Sequence, residues 1–189
     1  MDDVFVIDLG AQPADYGAQV VPLDRVKQHL RVLHDDEDEL IGLLRDAAVG
    51  TVEEYAGVRM LRTSGLVWRG SSFASIEAMG LRPVHAIGAV RYGRIGGAMV
   101  TLPAGSWSVG VSGLPTAIAW PTLGAGELVE VEVDAGYDAG RCPAALVSAV
   151  LMLTAHLYLN REAAGSGTVS AEVPLGFSYL LRPFRRMRL

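Results

Sequence analysis

Four histidines and one cysteine are the side chains here best suited to metal binding or nucleophilic chemistry, and their spacing argues against both. His29, His34, His85 and His156 are scattered, and none forms an H-x-x-x-H pair or sits near Cys142 in sequence, as a zinc site would require. Gly124-Ala125-Gly126 opens like a dinucleotide loop, but Glu127, Leu128 and Val129 follow, giving a strand where a helix is needed. Gly110-Val111-Ser112-Gly113 is one residue short of a nucleophile elbow. The acids Asp35, Asp36, Glu37, Asp38 and Glu39 lack the alternate spacing and central glycine of a calcium loop. Carboxylates at a helix start are favoured by the helix dipole, which is the simpler account of that run. No catalytic set, metal or cofactor is expected.

The chemistry that remains is that of surfaces. The chain ends LLRPFRRMRL, with Arg182, Arg185, Arg186 and Arg188 interleaved with Leu180, Leu181 and Phe184. Such an end can pair with acids on a protein, touch nucleic-acid phosphates, or solubilise a terminus. The leucines and phenylalanine favour a protein groove, since phosphate contact alone does not need them. The net charge of −5 argues against a general nucleic-acid binder. A single cysteine rules out an intramolecular disulfide. MDDVFVIDLG is acidic and lacks the basic start of a secretory signal.

The positioning elements read as follows. Residues 1–20 form an arm with a short strand from Val4 to Leu9. Leu23, Val26, Leu30 and Leu33 fall at helical spacing and predict a helix over 23–33. A second helix over 36–56 carries Leu40, Leu44, Ala47, Ala48, Thr51, Val52 and Tyr55 on one face, with Gly57 as its cap. Residues 60–137 are rich in Gly and Pro, with short β-prone pieces at 66–69, 86–92, 99–102, 107–111, 117–120 and 128–134. In the last of these Val129, Val131 and Val133 alternate with Glu130, Glu132 and Asp134, the pattern of an antiparallel sheet buried on one side. Pro143 starts a third helix over 143–162. Its core from Ala144 to Leu159 is apolar on nearly every face, so it must be buried by a large core or by neighbouring subunits. Leu146, Val150, Leu153, His156 and Leu157 are its candidate core or subunit-interface residues. That run is shorter than the ~20 residues needed to span a bilayer, so no membrane role is expected. Residues 165–173 read as a linker and 174–189 as a tail that orders against a partner. Helices, a β middle and a helix in separate runs define an α+β fold. Its parts are an N-terminal helix pair, an antiparallel β region, a long buried C-terminal helix and an extended basic tail. The core runs over 21–164.

Four segments together resemble the head–tail connector, or adaptor, proteins of long-tailed bacteriophages and phage-like gene transfer agents. They are VPLDRVKQHLRVLHDDEDELIGLLRDAAVGTVEEYAGVRML (21–61), LRPVHAIGAVRYG (81–93), VEVEVDAGYDAGRCPAALVSAVLMLTAHLYLNREA (129–163) and VPLGFSYLLRPFRRMRL (173–189). The resemblance implies a non-enzymatic subunit of a ring, a dodecamer, seated under the portal protein at the particle neck and made in the host cytoplasm. The ring would extend the channel through which DNA passes without sequence-specific contact, and would offer a platform to a neck, stopper or tail protein. It further implies that the C-terminal segment docks on the portal, through Leu180, Leu181, Arg182, Phe184, Arg185, Arg186 and Arg188. The competing readings are a DNA-binding packaging accessory, resting on the same arginines, and a small mobile-element hydrolase.

Overall fold

The structure is a computed structural model that describes residues 5–8, 13–94, 96–110, 113–117, 119–160 and 175–184. The chain divides into two compact units. Of the described residues, one holds the N-terminal strand and Arg62–Gly136, and the other holds Pro13–Leu61, Tyr137–Asn160 and Leu175–Phe184. The α+β reading holds: antiparallel strands make the first unit and helices the second.

The sheet unit contains β1 (Phe5–Asp8), β2 (Thr63–Gly70), β3 (Val84–Arg94), β4 (Met99–Thr101), β5 (Ser108–Val109), β6 (Pro115–Thr116) and β7 (Glu127–Ala135). Five of these form an antiparallel sheet in the order β1-β2-β7-β3-β4, and β5 pairs with β6 in a separate ribbon. β7 lies at the centre, and its Val/Glu alternation gives it one buried face. Val129, Val131, Val133 and Ala135 point to the buried face, in line with Leu66 and Trp68 of β2 and Val90 of β3. A 3-10 turn at Ala74–Ala78 and the loops after it cover that face with Phe73, Ile76, Met79, Leu81 and Leu114. Phe73 stacks on Trp120, with ring centroids 4.6 Å apart. The opposite face carries a charged ladder: Glu130 accepts from Arg69 on one side at 3.0 Å and from Arg91 on the other at 3.1 Å. The strand expected over 107–111 pairs only at Ser108–Val109, and its partner is Pro115–Thr116, just before the strand expected over 117–120, whose described residues 117, 119 and 120 are not in a strand.

The helical unit contains α1 (Tyr16–Val20), α2 (Leu23–Leu30), α3 (Asp38–Ala56), α4 (Ala144–Leu159) and α5 (Leu175–Leu181). α2 ends earlier than its periodicity implied. Arg31 takes a left-handed conformation with φ 60°, and Val32 N–H donates back to the Lys27 carbonyl, closing a Schellman-type cap. Leu33, placed on the buried face by spacing, therefore lies beyond the helix and is 96% exposed. α3 is capped at Gly57 with φ 63°, as its glycine suggested. Its buried stripe is Ile41, Arg45, Ala48, Val49, Val52, Glu53 and Ala56, one residue around from the expected face. Ala47 and Thr51 face outward. The expected face left out the apolar Ile41, Val49 and Ala56 as well as two buried charges, Arg45 and Glu53, which an apolar count assigns to solvent.

Candidate functional site

Among the described residues no group of three or more His, Cys, Asp or Glu side chains is placed to hold a metal ion. No described helix is long and apolar enough to cross a membrane. The Cys142 thiol is pushed up to about 11, first by burial and then by the nearby negative charge of Glu53. It is thus protonated near neutral pH, unlike an activated nucleophile.

The acidic run is tied down locally. The chain's one lysine, Lys27, reaches Asp35 at 2.5 Å and Asp38 at 2.6 Å. Glu37 accepts a hydrogen bond from the Tyr158 hydroxyl, joining the start of α3 to the end of α4. The salt bridge holds the Asp35 carboxyl below the usual aspartate range. Asp38 and Glu39 lie in the first turn of α3, where the helix dipole favours them.

α4 runs through the middle of the helical core. Leu146 and Val150 are fully enclosed and Leu153 nearly so, while Leu157 is half-buried against the same cluster. His156 is partly buried in the last turn, with its Nδ1 3.3 Å from the side-chain amide of Asn160. Of the two expectations for it, core or subunit interface, the subunit's own core does not enclose it. Asn160 ends the helix and returns its amide to the His156 carbonyl.

The C-terminal segment departs furthest from expectation. Residues 175–184 are not extended: α5 is followed by a 3-10 turn at Arg182–Phe184. Phe177 and Leu181, four residues apart, are 3% and 0% exposed within the subunit's own core. The Phe177 ring lies 5.5 Å from that of Tyr55 on α3. Leu180 and Phe184 pack partly on the same cluster. The outward side presents Tyr179, 77% exposed, and Arg182. Leu181 is thus committed inside its own subunit. Arg185, Arg186, Arg188 and the 165–173 linker lie outside the described residues.

One group of residues was not anticipated. Glu53 is buried on α3, and its Oε1 accepts from the Tyr16 hydroxyl at 2.5 Å and from the Met60 amide at 2.7 Å. Its Oε2 takes Arg59 Nη1 at 2.7 Å. The Arg59 guanidinium sits 4.2 Å over the Tyr16 ring, in cation–π range. Burial, together with the Glu53 charge, raises the Tyr16 phenol well above its ordinary value. The only sequence signal was indirect: Arg45 and Glu53 fall at helical spacing on the otherwise apolar stripe of Ile41, Ala48, Val49, Val52 and Ala56.

No protein-family model matches the chain, and no curated protein does. Solved structures do. A chain from the neck of an empty gene transfer agent particle, computed with C6 symmetry, superimposes with a TM-score of 0.67 at 20% identity, over 97% of both chains. A chain from the virion of a native gene transfer agent particle gives 0.68 at 22% identity, over 97% of this chain and 96% of that one. A chain from the neck of a native particle, computed with C12 symmetry, gives 0.65 at 20%, over 95% and 96%. The protein therefore has the fold of chains from gene transfer agent particles, necks among them, across nearly its whole length.

Proposed function

We propose that this protein is a structural head–tail connector subunit of a phage-like particle, acting by binding and not by catalysis. The observation that carries this reading is the end-to-end match to chains of gene transfer agent particles, one of them from a neck computed with C12 symmetry. Identical subunits would close into a dodecameric ring through heterologous contacts, in which one patch meets a different patch on the next copy. The ring would sit beneath the portal, extend the DNA channel without reading sequence, and present its far side to a neck, stopper or tail protein. The portal-docking element is the outward side of the C-terminal segment, Tyr179 and Arg182, continued by Arg185, Arg186 and Arg188. Phe177 and Leu181, with help from Leu180 and Phe184, hold that segment on its own subunit.

Electron microscopy of particles from cells carrying or lacking the gene tests the proposal. Twelve copies at one vertex, and tailless heads without the gene, are expected. A single copy, two-fold dimers only, or normal tailed particles without the gene would overturn it.

A further inference from the structure

The chain passes between its two units three times: it enters the helical unit at Pro13, leaves it after Leu61 and returns at Tyr137. On the helical side, two of the passages bond the Glu53 carboxylate directly, and the third is attached to it through Arg59. Tyr16, whose amide donates to the Pro13 carbonyl at 3.0 Å, gives its hydroxyl to Glu53. Met60 gives its amide to the same oxygen, and the neighbouring Leu61 amide donates to the Tyr16 hydroxyl at 3.1 Å. Arg59 gives its side chain to Glu53, while its carbonyl receives the Tyr137 amide at 3.2 Å.

A carboxylate this buried is unfavourable unless its bonds are all made, and an apolar side chain of similar size fills a core more cheaply. Core filling therefore does not account for Glu53. Three donors from two different passages, and the third passage attached through Arg59, do. We propose that the Glu53 carboxylate is a clasp that fastens all three connecting segments to the helical unit at one point, so that they come loose together when its charge is removed. The Arg69–Glu130–Arg91 ladder is the natural control. It has the same chemistry, but it joins neighbouring strands of one sheet and holds no passage.

Amide hydrogen exchange on the isolated subunit, residue by residue, is the test, and it does not depend on the assembly role. In Glu53→Gln, the amides at positions 16, 60, 61 and 137 should all exchange faster by about 10-fold or more, the equivalent of one charged hydrogen bond. The amides of Val150 and Leu151 in α4 should keep their protection, and Glu130→Gln should leave the four clasp positions unchanged. Uniform acceleration that includes Val150 and Leu151, acceleration at position 60 alone, or no change would overturn the clasp. If Glu53→Gln fails to fold, Tyr16→Phe decides, because it keeps the ring over Arg59 and removes only the hydroxyl. Faster exchange at both 61 and 137 supports the clasp. Faster exchange at 61 alone reduces it to a local hydrogen bond and refutes it.

Discussion

Removing the C-terminal segment separates docking from stability. Deleting 175–189 strips Phe177 and Leu181 from the helical core, where they are 3% and 0% exposed. Full burial of one such side chain is worth ~1.5–3 kcal/mol, so the pair contributes roughly 3–6 kcal/mol. At about 2–4 °C per kcal/mol for a chain of this size, the unfolding midpoint should fall by roughly 6–24 °C. Deleting only 185–189 removes Arg185, Arg186 and Arg188 but leaves Phe177, Leu181 and the Tyr55–Phe177 ring contact in place. That shorter truncation should keep the midpoint within a degree or two and still fail to join heads to tails. Thermal unfolding followed by circular dichroism, alongside particle assembly with each truncated protein, reads both effects. If the 175–189 deletion unfolds at the same temperature as the full chain, α5 is not part of the core and the burial argument is wrong. If the 185–189 deletion assembles normally, the arginine end is not the docking element.

Three other outcomes follow from local geometry. Gly70→Ala should destabilise the sheet unit by ~1–3 kcal/mol, the usual cost of overpacking, because a Cβ there would lie 2.2 Å from the buried Trp68 ring; the same change in a Trp68→Leu background should cost much less, measured as a double-mutant cycle in denaturant. Cys142, with its thiol pushed up to about 11, should alkylate slowly at pH 8 and faster as pH rises toward that value, and Glu53→Gln should shift the rate profile to lower pH. Asp35 titrates below the usual aspartate range because of Lys27, so the stability from this pair is present above the ordinary aspartate value and is lost as pH falls through the depressed one; a carboxyl NMR titration should show Asp35 returning to the ordinary range in Lys27→Met.

What could be read from the sequence was whatever followed a simple period or a strong terminator. β7 was legible because a sheet buried on one side imposes strict alternation, and Pro143 marked the start of α4, whose end at Leu159 comes earlier than the expected 162. Gly57 announced the end of α3 because a left-handed cap favours glycine. Arg31 makes a similar turn without one, so the helical spacing ran on to Leu33 with nothing to stop it. The face of α3 was misassigned in part because Arg45 and Glu53 are inside: Arg45 pairs with the adjacent Asp46, and Glu53 with Arg59, Met60 and the distant Tyr16, none of which an apolar period reveals. α1 is too short to show a period. α5 did show one, with Phe177, Leu180, Leu181 and Phe184 at i, i+3, i+4 and i+7, but the same residues suit a docking surface equally well. Which surface an apolar stripe meets is a property of the fold.

That ambiguity bears most on α4. An apolar helix must be surrounded, and the sequence left two ways to surround it: its own core or its neighbours. Within one subunit α4 packs against α2, α3 and α5, and Leu146, Val147, Ala149, Val150, Leu151, Leu153 and Thr154 are buried without any second copy. Leu159, 78% exposed at its end, is the clear exception. Hydrophobicity around the whole helix thus reports how many elements enclose it, not how many chains. α5 is the element that makes the difference, because Phe177 and Leu181 close a side of the core that a short free tail would leave open. The burial of α4 therefore lends no support of its own to the proposed ring. The surfaces to search for subunit contacts are those this core leaves outside, such as Leu43, Leu159, Tyr179 and the Leu33 loop. Exposed apolar residues scattered singly are ordinary on soluble proteins, so each must be tested by substitution and not inferred from its chemistry.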